Sequence, residues 1–226
     1  MRPTFNRRTA TKVKDGRVLR KNRRRPMVHD GLVVDRESPG RGYRHVVTKQ
    51  DLWLFIDVVP DWERISVRLE RIVLAKPAAD DADGDHTFYD REETGAIRLH
   101  AWRDDLWIHA TTAFVEDHME LLERLGVSVE RLDDGVLCRF TDAQAKAYML
   151  LHVFMHELGH HFDRIHQKHC GSKKGEGYAE RFATTRLDTF FPEYVRVFGD
   201  PAGAAFPAAG AAKFSGLLRR RRGKDR

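Results

Sequence analysis

Cysteine is scarce: Cys138 and Cys170 are the only two in a chain of 226 residues. Two thiols make no disulfide framework, so the fold must rest on packed apolar side chains, and the scarcity suits a reducing cytoplasm. Long apolar runs are missing too. No stretch of 18 apolar residues occurs, so no membrane-spanning helix and no membrane partner is expected. Residues 52–59 come nearest, but they are few and Asp57 interrupts them. The basic start lacks the apolar segment and small-residue cleavage site of a secretory signal.

Charge is unevenly placed. Forty Lys+Arg against 34 Asp+Glu give a net charge of +6. Residues 1–25 hold 11 Lys/Arg and one Asp, and residues 213–226 hold seven and one. The ends thus carry +10 and +6, and residues 26–212 must carry −10 to reach the total of +6. Residues 20–25 and 219–222 have almost nothing apolar to bury and read as disordered tails. Such tails can grip nucleic acid through its phosphates, solubilise the chain, or dock on its acidic middle. No folded or aromatic-interleaved reader accompanies them. Residues 200–212, rich in Ala, Gly and Pro, read as a linker. The organisation expected is a basic tail over 1–26, one folded domain over 27–199, and linker plus basic tail over 200–226.

Against this background stands His156-Glu157-Leu158-Gly159-His160. Two imidazoles four residues apart on a helix lie one turn above the other and point the same way. Both can reach one tetrahedral zinc while Glu157 faces the water to be activated. Thr141 and Gln144 form a capping-box pattern, and no Pro follows until after His169. Residues 149–155 are apolar except for His152, so the helix belongs inside the domain, where polar groups need partners. His152 shares the face of His156 and reads as a supporting donor or a satisfied core histidine, since catalytic zinc keeps a position open. His161, His166 and His169 read as solvent-side or helix-end residues. Gly171 is the expected stop.

Downstream, residues 171–177 read as a loop and a second helix is expected from Tyr178 to about Phe191, stopped by Pro192. Glu176 and Glu180 are four apart and would share a helical face. Ala179 and Ala183 are small enough to let this helix come close to the histidine helix.

His-Glu-x-x-His followed by Glu176-Gly177-Tyr178-Ala179-Glu180 resembles the gluzincin superfamily of zinc metallopeptidases, over roughly residues 141–192. The second element, with Phe182 after it, looks most like the lethal-factor-type branch. His-Glu-Leu-Gly-His and Phe182-Ala183 are also similar to the ImmA/IrrE-type peptidases. The resemblance implies a zinc ion held by His156, His160 and Glu176, with Glu157 as general base and Glu180 supporting a ligand histidine. Glu180 as the ligand, with Glu176 in support, is the alternative. Asp163 is a further candidate to orient a ligand histidine. The implied substrate is a peptide or protein. One departure is the missing Tyr just before the third ligand, where His169, Lys173 and Lys174 stand. Tyr178 or a His is left to stabilise the oxyanion. A different class of reading is a non-catalytic metal-bound regulatory domain that binds nucleic acid through its tails.

The rest of the domain reads as α+β. Residues 52–59 and 71–75 suggest strands, with a short helix opening at Pro60. Residues 76–86 read as an acidic loop, and Asp80, Asp81, Asp83 and Asp85 lack the spacing of an EF-type calcium loop. Residues 96–102 read as a half-buried strand, 111–125 as a helix, and 127–131 with 136–140 as a hairpin. By the resemblance this is a zincin-like layout, a small mixed sheet packed on the buried metal helix. Residues 97–102 and 136–140 are the candidates for the edge strand that holds the substrate backbone.

Overall fold

The computed structural model describes residues 31–79, 81–166 and 173–203, with two short strands upstream. The chain divides into two units, residues 1–31 and 32–226. In the first, β1 (Lys12–Lys14) pairs antiparallel with β2 (Arg17–Leu19). The remainder of the expected N-terminal tail, Asp80, His169, Cys170, the Gly171 stop, and the linker and tail after Gly203 lie outside the described residues.

The second unit opens with β3 (Val33–Arg36), β4 (Tyr43–Arg44), α1 (Lys49–Ile56) and α2 (Trp62–Ile65). Then come β5 (Leu69–Ala75), β6 (Gly84–Tyr89), β7 (Thr94–His100), β8 (Trp102–Arg103) and β9 (Trp107–Ala110). Two short helices, α3 (Thr112–Asp117) and α4 (Met119–Leu125), precede the hairpin of β10 (Ser128–Leu132) and β11 (Gly135–Arg139). The chain then turns helical: α5 (Asp142–Tyr148), a π-helical turn (Met149–Phe154), α6 (Met155–His166), α7 (Lys173–Thr184) and α8 (Leu187–Phe198). Strands and helices are largely segregated along the chain, which makes the fold α+β. Among the described residues no helix is long and apolar enough to cross a membrane.

The main sheet is mixed and runs β3-β5-β7-β6, with β5 parallel to both β3 and β7 and β6 antiparallel to β7. A second sheet runs β10-β11-β9. The main sheet covers α6 through β6 and β7. On the far side, Phe55 of α1 meets Phe154, Phe190 and Tyr194 edge-on at centroid distances of 6.1, 6.5 and 6.4 Å. Such rings each bury a large apolar area and lock α1, the π turn and α8 into one core.

Four expectations need correction. Residues 52–56 form helix, not strand, and 57–59 turn: Thr48 and Asp51 make a reciprocal capping box, and Leu52, Phe55 and Ile56 bury at helical spacing. Aromatic and β-branched content outweighed period in the sequence reading. Both expected edge strands are interior, since β7 lies between β5 and β6 and β11 between β10 and β9. The main sheet's edges are β3 and β6, and the first half of β6, residues 84–86, read as loop. Pro192 lies inside α8 instead of stopping α7. Burial of Leu187, Phe190 and Tyr194 on one face outweighs the single lost backbone hydrogen bond. Finally, α7 begins at Lys173, before the loop was expected to end, so Glu176 is helical.

The expected capping box at α5 forms, with Thr141 N donating to Gln144 Oε1 at 2.8 Å and Gln144 N to Thr141 Oγ1 at 3.3 Å. The expected single helix over 111–125 is broken at His118, where α3 ends and α4 starts.

Helices α6 and α7 approach each other closely at Gly159. A Cβ on Gly159 would stand 2.9 Å from Ala179 Cα and 2.9 Å from Phe182 Cβ. Ala179 and Ala183 are fully buried there. Gly159→Ala gains about 1 kcal/mol of helix propensity but forces backbone apart, an overpacking cost of about 1–3 kcal/mol. The backbone clash wins, and thermal melts are expected to show a lower Tm. A higher Tm would mean the two helices are not in contact at this point.

Candidate metal centre and cleft

Helix α6 carries His156, Glu157 and His160, and α7 carries Glu176 and Glu180 one turn apart. The contact at Gly159 draws the two helices close enough for their polar side chains to meet. His156 Nε2 lies 3.1 Å from His160 Nε2, and Glu176 Oε2 lies 3.5 and 3.4 Å from those two nitrogens. The three atoms make a nearly equilateral triangle. A tetrahedral zinc with bonds of about 2.0–2.1 Å has ligand–ligand edges of roughly 3.3 Å. The donor set, two imidazoles and a carboxylate, is the one zinc takes with an open fourth position.

Glu180 stands on the other side of His156. The His156 Nδ1–H donates to Glu180 Oε2 at 3.3 Å. This bond fixes the tautomer and leaves the Nε2 lone pair facing the triangle. Burial pushes His156 down, but the bond to Glu180 and the charges of Glu157, Glu180 and Glu176 leave it raised. Burial and the neighbouring His156 hold His160 below its ordinary value. Burial raises the Glu180 carboxyl, yet the hydrogen bond with His156 and the nearby His152 and His118 leave it lowered. The geometry thus brings His156, His160 and Glu176 together on one point and sets Glu180 behind His156. Asp163 is buried on α6, lines the same cleft and adds negative field at His160.

Glu157 is buried beside the triangle. Desolvation, opposed by His156 and reinforced by Asp85 and Glu176, pushes its carboxyl up to about 7. A Cβ on Gly84 would lie 3.0 Å from Glu157 Oε1 and 2.9 Å from Val153 Cγ1, so only glycine lets β6 come this close. Between β6 and the two helices runs a cleft of about 520 Å³ lined by Gly84, His86, Phe88, Glu157, Arg164 and the three triangle residues. One cleft wall is therefore the β6 edge of the main sheet.

Sequence reasoning missed β6, although Thr87, Phe88 and Tyr89 are strand formers. It also misjudged His161, which is fully buried and not on the solvent side. His161 Nε2–H donates to Val67 O at 2.9 Å, so its Nδ1 accepts from His86 Nε2 at 3.1 Å. No Cβ fits at Gly95, because it would lie 2.4 Å from His161 Nδ1. The proton of neutral His86 is therefore on Nε2, and its Nδ1 carries a lone pair. Tyr178 packs against Phe182 at 6.3 Å. Arg164, engaged with Asp90 and lying over Phe88, is the cationic side chain lining the cleft among the described residues. Asp85 is held 2.9 Å from His100 Nε2, which gives that member of the acidic loop a structural role. Cys138 is a free, buried thiol whose pKa burial pushes up to about 11.

Comparison of the chain with protein-family models, with curated proteins and with solved structures finds no match.

Burial, with the charges of His161, His160 and Arg164, pushes His86 down to about 3. A histidine lowered in the native state is neutral there, while the unfolded chain takes up a proton near 6.5. Its contribution is complete above that value and drains away as pH falls from 6.5 towards 3. Urea unfolding between pH 7.5 and 4.5 is expected to show stability falling with acid, less steeply in His86→Gln. Equal slopes for both proteins would contradict this.

Proposed function

We propose that the chain is a zinc-dependent metallopeptidase of the gluzincin type, with a zincin-like fold and a peptide or protein substrate. The observation that carries this reading is the convergence of His156 Nε2, His160 Nε2 and Glu176 Oε2 within 3.1–3.5 Å, beside a buried Glu157 in an open cleft. His156, His160 and Glu176 would hold the ion, and Glu180 would orient His156. When bound, zinc supplies a Lewis acid that brings the pKa of water towards neutrality and polarises a carbonyl.

Glu157 is the proton carrier. Its carboxyl, poised at about 7, takes a proton from the attacking water and delivers it to the departing amine. The β6 edge offers unpaired backbone groups, along which an extended substrate backbone can add as a further strand. Arg164 lines the cleft and is engaged with Asp90; to meet negative charge developing on the scissile carbonyl oxygen it would have to leave that partner.

Burial of Glu157 also weighs against a non-catalytic metal domain. A carboxyl desolvated in this position is a cost that an apolar residue would avoid, and proton transfer gives the carboxyl a use. The two cysteines fit a cytoplasmic setting in this reading.

Glu157→Gln is expected to keep its zinc and to lose at least about 100-fold in kcat/KM on denatured casein or fluorogenic peptides. An ion facing Glu157 favours its ionised form, so activity is expected to rise with pH along an acid limb at or below about 7. Unchanged turnover in Glu157→Gln with zinc bound, or activity that grows as pH falls through this range, would refute the general-base role.

A further inference from the structure

Behind the first centre lies a second convergence of imidazoles and a carboxylate. His118 sits at the joint between α3 and α4, His152 in the π-helical turn, and Glu180 on α7. His118 Nε2 and His152 Nε2 are 3.1 Å apart, the same separation as between His156 and His160. His118 Nε2 lies 3.7 Å from Glu180 Oε1, and His152 Nε2 lies 3.9 Å from Glu180 Oε2. The three ligand atoms fall within 4.8 Å of one another. Both histidine side chains are nearly enclosed, at 12 and 9% exposure.

Counting protons shows why this cluster asks for a cation. His118 Nδ1 is 2.8 Å from Phe114 O, and a carbonyl only accepts. The proton of neutral His118 is therefore on Nδ1, and a lone pair stands at Nε2. That lone pair faces Glu180 Oε1, itself an acceptor. Glu180 Oε2 already accepts from His156. A proton on His152 Nε2 can serve one of these acceptors, not all of them. Electron-rich atoms gathered here, the two imidazoles at low exposure and Glu180 at 36%, repel unless positive charge lies between them. A donor bond from the far ring nitrogen to a backbone carbonyl, as His118 makes, is also how metal-bound histidines are usually oriented.

Two further features agree. The π-helical turn widens the helix at His152, whose ring centroid lies 6.0 Å from that of His156; such turns cluster at functional sites. A cavity of about 70 Å³, lined by Asp117, His118, Leu121, His152 and Thr184, opens beside the cluster. It has room for water to complete a coordination shell.

We propose that His118, His152 and Glu180 form a second divalent-cation site, suited to zinc and separate from the His156–His160–Glu176 centre. Its three ligands are not those of the first centre, so either site can fail without the other. Occupancy ties α7 to the α3–α4 joint and to the π turn. It also draws on the carboxylate that orients His156, so the two ions sense each other through Glu180.

The test uses the full chain, stripped of metal and titrated with zinc alone by calorimetry, with cobalt(II) absorption as a second readout. The wild type is expected to bind two equivalents, His118→Gln one, His160→Ala one, and the double variant neither. Circular dichroism checks the fold of each. Zinc uptake by His118→Gln equal to wild type, or no ion bound by folded His160→Ala, would overturn the second site. A wild type that binds one equivalent, lost in His160→Ala and kept in His118→Gln, leaves the first centre standing and removes the second. The reverse pattern removes the first and keeps the second.

Discussion

The approach of α6 to α7 at Gly159 and Ala179 is the constraint on which the rest of the site depends. Neither helix alone assembles anything: α6 offers two imidazoles and a carboxyl, and α7 two carboxylates on one face. Only with Ala179 Cα 2.9 Å from where a Cβ on Gly159 would be do the carboxylates of α7 reach the imidazoles of α6. Desolvating these groups costs several kcal/mol apiece when they are unpaired. The apolar packing of Phe182, Ala183, Leu158 and the Phe55 cluster must hold that polar seam closed.

Within the seam, position decides role. Glu176 and Glu180 are the same residue type one turn apart, yet Glu176 faces the Nε2 atoms of two histidines and Glu180 the Nδ1 of one. The same logic separates the carboxyl of Glu157, driven up to about 7 by burial, from Glu180, lowered by its histidine neighbours. Two carboxylates with opposite shifts suit one to carry protons and the other to stay charged. Glu180 also faces His118 and His152, which makes it the link between the cleft and the interior of the helical half.

Much of this was legible before any coordinates. The spacing of His156 and His160, the Thr141 cap and the small residues on α7 each carry a local signal with a physical cause, and each is seen in place. What was not legible depends on long-range pairing. Nothing local distinguishes an edge strand from an interior one, so β7 and β11 were mistaken for edges. Residues 84–86 hid at the end of an acidic loop and 87–89 were given no element, although together they form β6, which walls the cleft. His118 was read on the apolar-spaced side of one continuous helix, and nothing local says that the helix breaks there or that its ring meets His152 and Glu180. His161 was lost because a histidine next to a metal motif and near a helix end reads as exposed, whereas β7 offers a glycine into which it packs.

The central claim is that one ion sits where α6 and α7 meet. Anomalous diffraction at the zinc edge from crystals of the zinc-loaded full chain tests it most directly. The account predicts a peak about 2.0–2.2 Å from His156 Nε2, His160 Nε2 and a Glu176 carboxylate oxygen. Crystals with zinc bound elsewhere and no peak among these three side chains would contradict it.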